Sequence, residues 1–132
     1  MSTRQFLVVD DEKDVEILFI QKFRKEIRSG VLDLLFAFSG QEAIDILESS
    51  QPPDVVYVFS DINMPGMTGL ELLEIIKERY PKISVSMISA YGDSENYKKA
   101  ISSGAKEFFT KPIDFGSLKE EVHELIHQNK DS

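Results

Sequence analysis

Val55-Val56-Tyr57-Val58-Phe59-Ser60-Asp61 is the stretch on which the fold turns. Five successive apolar residues run into a hydroxyl and a carboxylate. A strand with one face in water alternates apolar with polar residues, so an unbroken apolar run predicts a strand covered on both faces, as in a parallel sheet between helices. The same form recurs on either side, at Phe6-Leu7-Val8-Val9, at 31–38, at 83–88 and at Glu107-Phe108-Phe109. Longer stretches with helically spaced apolar residues separate these runs, so the chain reads as an α/β domain with five strands and βαβ connections.

Val15, Leu18, Phe19, Phe23 and Ile27 mark a first helix that ends at Gly30, a residue suited to the left-handed C-cap. A second helix covers about 41–49, a third carries Leu70, Leu73, Ile76 and Lys77, and a fifth repeats Phe115, Leu118, Val122, Leu125 and Ile126. The fourth has the narrowest apolar stripe. From Asp93 or Ser94 as N-cap it exposes Glu95, Lys98 and Lys99, buries Tyr97 and Ala100-Ile101, and stops at Gly104. A helix that buries so little is cheap to displace, so a switch between two surfaces is expected to involve 92–108.

The chain has 132 residues, with 15 Lys+Arg against 23 Asp+Glu for a net charge of −8. Its length and ordinary composition predict one domain over 1–132, with a core at about 5–127 and no visible output domain. There is no internal repeat or low-complexity tract. The acidic balance argues against a phosphate-backbone binder, so no direct nucleic-acid contact is expected. Zero cysteines exclude disulfides, thiolate-bound zinc, iron–sulfur clusters and thiolate catalysis, and suit a reducing compartment. Only four apolar residues precede Asp10-Asp11-Glu12, so neither a signal-peptide core nor a membrane span is drawn, and a cytoplasmic location is expected.

In an open parallel sheet the ligand crevice lies at the carboxyl ends of the strands. The first strand ends in Asp10-Asp11, the third in Ser60-Asp61, the fourth in Ser89 and the fifth in Thr110-Lys111-Pro112. Three carboxylates crowded together repel one another unless a cation neutralises them. With oxygen donors and no His or Cys nearby, that cation is best a hard divalent ion such as Mg²⁺, which also accepts phosphate oxygens. Lys111 adds a mobile positive charge for a carboxylate or an incoming anion. A carboxylate beside Mg²⁺ and Lys can accept phosphorus as an acyl phosphate, and Asp61 on the central strand is the best nucleophile.

Together Leu7-Val8-Val9-Asp10-Asp11-Glu12, the loop from Ser60-Asp61-Ile62-Asn63 through Met64-Pro65-Gly66-Met67-Thr68-Gly69, Ser89-Ala90-Tyr91 and Phe108-Phe109-Thr110-Lys111-Pro112 resemble the receiver domain of two-component response regulators, of the chemotaxis type, over essentially the whole chain. The resemblance implies a flavodoxin-like doubly wound sheet of order 2-1-3-4-5 with helices on both faces. It implies Asp61 as phosphoacceptor, Asp10 and Asp11 with Asp61 and the Asn63 backbone carbonyl as the Mg²⁺ ligands, and Lys111 and Ser89 as contacts of the phosphoryl group. Phe108 occupies the aromatic switch position, coupled to movement of Ser89, and a cis Lys111-Pro112 bond is implied. The donor would be a histidine kinase or histidine phosphotransfer protein, and the strand four to strand five face would bind an unknown downstream protein or output domain. Such a chain is a switch rather than an enzyme, its chemistry limited to its own phosphorylation and dephosphorylation.

Several positions depart from the family's commonest pattern. Ser89 stands for Thr, Phe108 for Tyr and Thr68 for Asp, and the segment from Asp54 to Asp61 is about two residues longer than usual, with no evident role. Asn63 and Tyr91 occupy positions that in this family tune the lifetime of the acyl phosphate.

Blander readings exist for each piece. Asp10-Asp11-Glu12 can serve as a helix-capping turn and Lys111-Pro112 as a strand-end turn, and only the constellation favours chemistry. Phe108 and Phe109 fill opposite sides of a strand. Met64 and Met67 read as loop packing. His123 and His127 have zinc-binding i, i+4 spacing, but the sequence places no third ligand beside them, so they read as a solvated helix face.

Three other functions compete. A haloacid dehalogenase-like aspartyl phosphatase also uses Asp, Mg²⁺ and Lys, but places its nucleophile on the first strand and a second Asp where Asn63 stands. A flavin or nucleotide binder would want a Gly-rich loop after strand one, where Asp10-Asp11-Glu12 lies. A degenerate, unphosphorylated receiver used as a binding module is the third.

Overall fold

The computed structural model describes residues 3–49, 54–90 and 94–128. In chain order the elements are β1 (Arg4–Val9), α1 (Lys13–Lys22), α2 (Arg24–Ser29), β2 (Leu32–Ala37), α3 (Gly40–Leu47), β3 (Val55–Asp61), α4 (Gly69–Arg79), β4 (Ser84–Ser89), α5 (Ser94–Ser102), β5 (Phe108–Thr110) and α6 (Phe115–Gln128). All strand pairs are parallel and the sheet order is β2-β1-β3-β4-β5. This is the doubly wound arrangement that the unbroken apolar runs require.

Each face of the sheet has its own core. Leu7, Val9 and Val58 point to a cluster closed by α3, α4 and α5, with Ile44, Leu72, Ile76 and Ala100 among its members. Phe6, Val8 and Phe59 point to the other, closed by Val15 and Phe19 of α1, Phe23, and Leu118 and Val122 of α6. The strand order reverses between β1 and β3, which opens a crevice at their carboxyl ends. Asp10 and Asp61 stand there.

A bulge takes up one residue of the long segment before Asp61. Gln5 pairs with Val55 but Phe6 pairs with Tyr57, so Val56 is an extra residue bulged out of the ladder. Val55 faces the α3–α4 side, whereas Val56 and Tyr57 both pack on the α1–α6 side. The bulge seats Tyr57 among aromatic rings, stacked with Phe6 at 5.8 Å and Phe59 at 4.5 Å. Its hydroxyl bonds to Ser86 Oγ at 2.5 Å and to Glu121 Oε1 of α6 at 3.3 Å, so the buried phenol is satisfied.

The expected first helix is two. Phe23 leaves helical geometry at φ −106° and ψ 19°, between α1 and α2. Its N–H still reaches the Phe19 carbonyl at 3.0 Å and its own carbonyl accepts from Ile27 at 2.9 Å. The chain therefore bends without leaving these groups unpaired, and Phe23 stays stacked on Phe19 in the core. Gly30 caps α2 at φ 79°, as anticipated. Leu18 is not a core residue: it lies exposed with Ile17 and Ile20 on the outer side of α1. α5 buries still less than its sequence implied, because Tyr97 and Ile101 are exposed and only Ala100 is buried. The N-cap position Asp93, and Tyr91, lie outside the described residues.

Candidate functional site

Hydrogen-bond ladders run up to the site residues. Asp10 N donates to the Ala37 carbonyl at 3.1 Å, Ile62 N to Ile88 at 3.0 Å, and Lys111 N to Ser89 at 2.8 Å. Asp61 ends β3 opposite Ile88, and Ser89 ends β4 opposite Thr110. The backbone thus delivers Asp10, Asp61, Ser89 and Lys111 to one sheet edge. Asp10 and Asp61 are each 4% exposed, while Asp11 is exposed. One carboxylate oxygen from each of the three lies within 4.8 Å of the other two.

Lys111 Nζ lies 3.0 Å from Asp10 Oδ2, 3.3 Å from Glu12 Oε1 and 3.6 Å from Asp61 Oδ2. Asp10 Oδ1 accepts the Glu12 N–H at 2.9 Å, so both oxygens of Asp10 are engaged. Asp61 is less well served. Burial, then the Asp10 charge, pushes its carboxyl up to about 6, against the opposing pull of Lys111 and the Asn63 backbone amide. Burial opposes the charge on Lys111, yet its hydrogen bond to Asp10 and the surrounding carboxylates hold the ammonium above its usual range. One ammonium serves three carboxylates, counting Glu12, and Asp11 adds a fourth negative charge nearby. Crowded, partly desolvated oxygens with no nitrogen or sulfur donor fit a small hard cation, so Asp10, Asp11 and Asp61 form a site able to hold a metal ion.

Other expected features fall around this cluster. Ser89 is fully buried. Phe108 and Phe109 pack on opposite faces, and the exposed Tyr97 ring meets Phe108 edge-on at 5.5 Å. The Lys111-Pro112 bond is cis. Thr68 caps α4, accepting the Glu71 N–H while Glu71 accepts the Thr68 N–H, so this departure from the commoner Asp retains a capping box. Met64 is buried, and Met67 packs against the start of α3 at Gly40.

Two contributors went unnoticed in the sequence. Glu12, in sequence only part of an acidic turn, shares Lys111. Gly69 is required by close approach: a Cβ there would stand 2.0 Å from the Asp61 carbonyl oxygen. Its N–H bonds to the Ile62 carbonyl at 2.8 Å, pinning the loop after Asp61 to the strand. A Gly opening a helix directly after the acidic loop was the available signal. The histidine reading also changes, because His123 Nε2 lies 2.8 Å from Oε2 of Glu26, a buried residue of α2. A cleft of about 440 Å³ lined by Leu47, Val55, Tyr80 and Ile83 sits at the amino ends of β3 and β4, away from the carboxylates.

The chain matches the family model of the response regulator receiver domain over residues 6–123. It is 37% identical over 123 residues to the response regulator protein PilR of Pseudomonas aeruginosa, covering 92% of this chain and 26% of that protein. Sporulation initiation phosphotransferase F of Bacillus subtilis is 30% identical over 126 residues, covering 96% of both chains. The chain thus spans about a quarter of one relative and nearly all of the other. Among solved structures, the response regulator TrrA of Thermotoga maritima in complex with Mg²⁺-BeF superposes with a TM-score of 0.77 at 28% identity, over 93% of this chain and 99% of that one.

Proposed function

Because the chain belongs to the response regulator receiver domain family, we propose that this two-component receiver switches by accepting a phosphoryl group on Asp61. The observation that carries the reading is the convergence of Asp10, Asp11 and Asp61 within 4.8 Å, with Lys111 Nζ 3.6 Å from Asp61. An Asp61 oxygen attacks the phosphorus of a phosphohistidine, the N–P bond breaks, and its electron pair leaves with the imidazole nitrogen.

Asp10, Asp11, Asp61 and the Asn63 carbonyl are the residues to hold Mg²⁺, which when bound neutralises charge on the transferring oxygens. Lys111 leaves its carboxylate partners for a phosphoryl oxygen, and Ser89 donates its hydroxyl to another. Phe108 then repacks, and the face at β4 and β5, with α5 between them, presents a different surface to a downstream protein or output domain. The exposed Tyr97 and Ile101 make α5 the cheapest part of that surface to move. The donor is a histidine kinase or a histidine phosphotransfer protein, encountered in the cytoplasm. No described helix is long and apolar enough to cross a membrane. The chemistry begins and ends on Asp61, without turnover of a separate substrate. An aspartyl phosphatase is disfavoured because Asp61 lies on β3 and an amide, Asn63, stands two residues later.

Intact mass after incubation with Mg²⁺ and acetyl phosphate or phosphoramidate tests this reading, with Asp61→Asn in parallel. One phosphoryl group gained only with Mg²⁺, and absent from the variant, is the expected result. A folded protein that gains nothing from either donor is a degenerate binding module.

A further inference from the structure

Glu26 has no part in the phosphoryl chemistry, yet it is 7% exposed on a short helix whose other polar residues are exposed. Its Oε2 lies 2.8 Å from His123 Nε2 and 3.3 Å from Lys119 Nζ, while the buried Oε1 has no hydrogen-bond partner among the described residues. His127 follows one turn later on α6, its ring 6.2 Å from that of His123 and 25° from parallel. An element nearly a hundred residues earlier therefore sets a carboxylate beside His123, and His127 has to move closer to join the pair.

We propose that Glu26, His123 and His127 form a second metal site, for a borderline divalent transition ion such as Zn²⁺, joining α2 to α6. Two imidazoles and one carboxylate are a zinc donor set, chemically distinct from the oxygen-only cluster at the sheet edge. With Zn–N bonds of about 2 Å, two imidazoles on one tetrahedral ion have ring centres about 5 Å apart, roughly 1 Å closer than these. His127 is exposed and in the last turn of α6, where it is free to adjust and where the helix dipole favours a cation. Oε1 of Glu26 has lone pairs to give. Lys119 can release Glu26 without being stranded, because its Nζ also bonds to the Lys22 carbonyl at 3.0 Å and lies 5.5 Å from the centre of the Phe23 ring.

The chain has only two histidines and no cysteine, so an ion that needs two imidazoles has no other pair to choose. Zn²⁺ titrated into the intact chain in excess Mg²⁺, followed by calorimetry and by the imidazole NMR resonances, tests the proposal. One Zn²⁺ per chain is expected, shifting both imidazoles and binding at least about tenfold more weakly in His127→Gln, the scale on which even supporting groups act. Glu26→Gln is expected to weaken it similarly, and should that variant fail to fold, the exposed His127→Gln still decides. Unmoved imidazole resonances, unchanged affinity in His127→Gln, or unchanged affinity in a folded Glu26→Gln overturns the three-ligand site. The outcome is independent of whether Asp61 is phosphorylated.

Discussion

Asp61 and Glu26 are both more than nine-tenths buried, at 4% and 7% exposure, yet their acidities move in opposite directions. Burial disfavours the charge on each. At Asp61 the neighbouring Asp10 adds to that penalty, Lys111 offsets only part, and the carboxyl is pushed up to about 6. At Glu26 the backbone amide, His123 and Lys119 outweigh burial and hold the carboxyl below its ordinary value. The first is one of several acids competing for a single ammonium; the second is one acid with several donors. Depth alone therefore says nothing about whether a buried charge is content, and the discontented one is the one we propose for chemistry.

Replacing each acid by its amide should move stability in opposite directions. Asp61→Asn is expected to raise the unfolding free energy by about 2 kcal/mol at pH 7 without divalent ions, as judged from a shift of roughly two units partly relaxed by solvent. Urea unfolding in chelator checks it, and added Mg²⁺ should narrow the gap by stabilising only the chain that keeps the carboxylate. No gain in chelator would mean that Asp61 is better compensated than its neighbours suggest.

The pH dependence sharpens the contrast. A carboxyl raised in the folded state retains a proton that the unfolded chain has released, so between about pH 4 and 6 its contribution to stability falls as pH rises, by at most about 1.4 kcal/mol per unit. The advantage of Asp61→Asn should therefore grow across that window and level off above it. Glu26 runs the other way, its contribution present above the ordinary carboxylate pKa and lost as pH falls through its lowered one. At pH 7, Glu26→Gln should cost about 1 kcal/mol, since His123 and Lys119 can turn to water once the charge is gone. Arg79→Ala, breaking the exposed pair with Glu48, should change unfolding by less than about 0.5 kcal/mol and sets the floor for both comparisons.

The sheet and the grouping of polar residues at its edge were legible because they rest on local signals: continuous apolar runs for doubly covered strands, and acids, a hydroxyl and a lysine directly after them. Glu26 was not legible. A glutamate between basic residues on a short helix looks like solvated surface, and only tertiary packing against α6 makes it a buried acid with histidine and lysine partners. Leu18 misled for the converse reason. Apolar residues ring α1 on both sides, so periodicity could not say which stripe meets the core. The bend at Phe23 escaped notice because both helical pieces continue one apolar stripe across it.

The bulge at Val56 gives β3 a slip joint. The residue that exceeds the pairing is taken up at the amino end, next to the Gln5–Val55 pair, while Phe6 to Val9 stay level with Tyr57 to Ser60. Length can therefore vary at the foot of the strand without displacing what stands at its head. The two ends are open to sequence change on different terms: the lower can lengthen or shorten by a residue as loops do, whereas the upper, where Asp61 must face Asp10, tolerates no such drift.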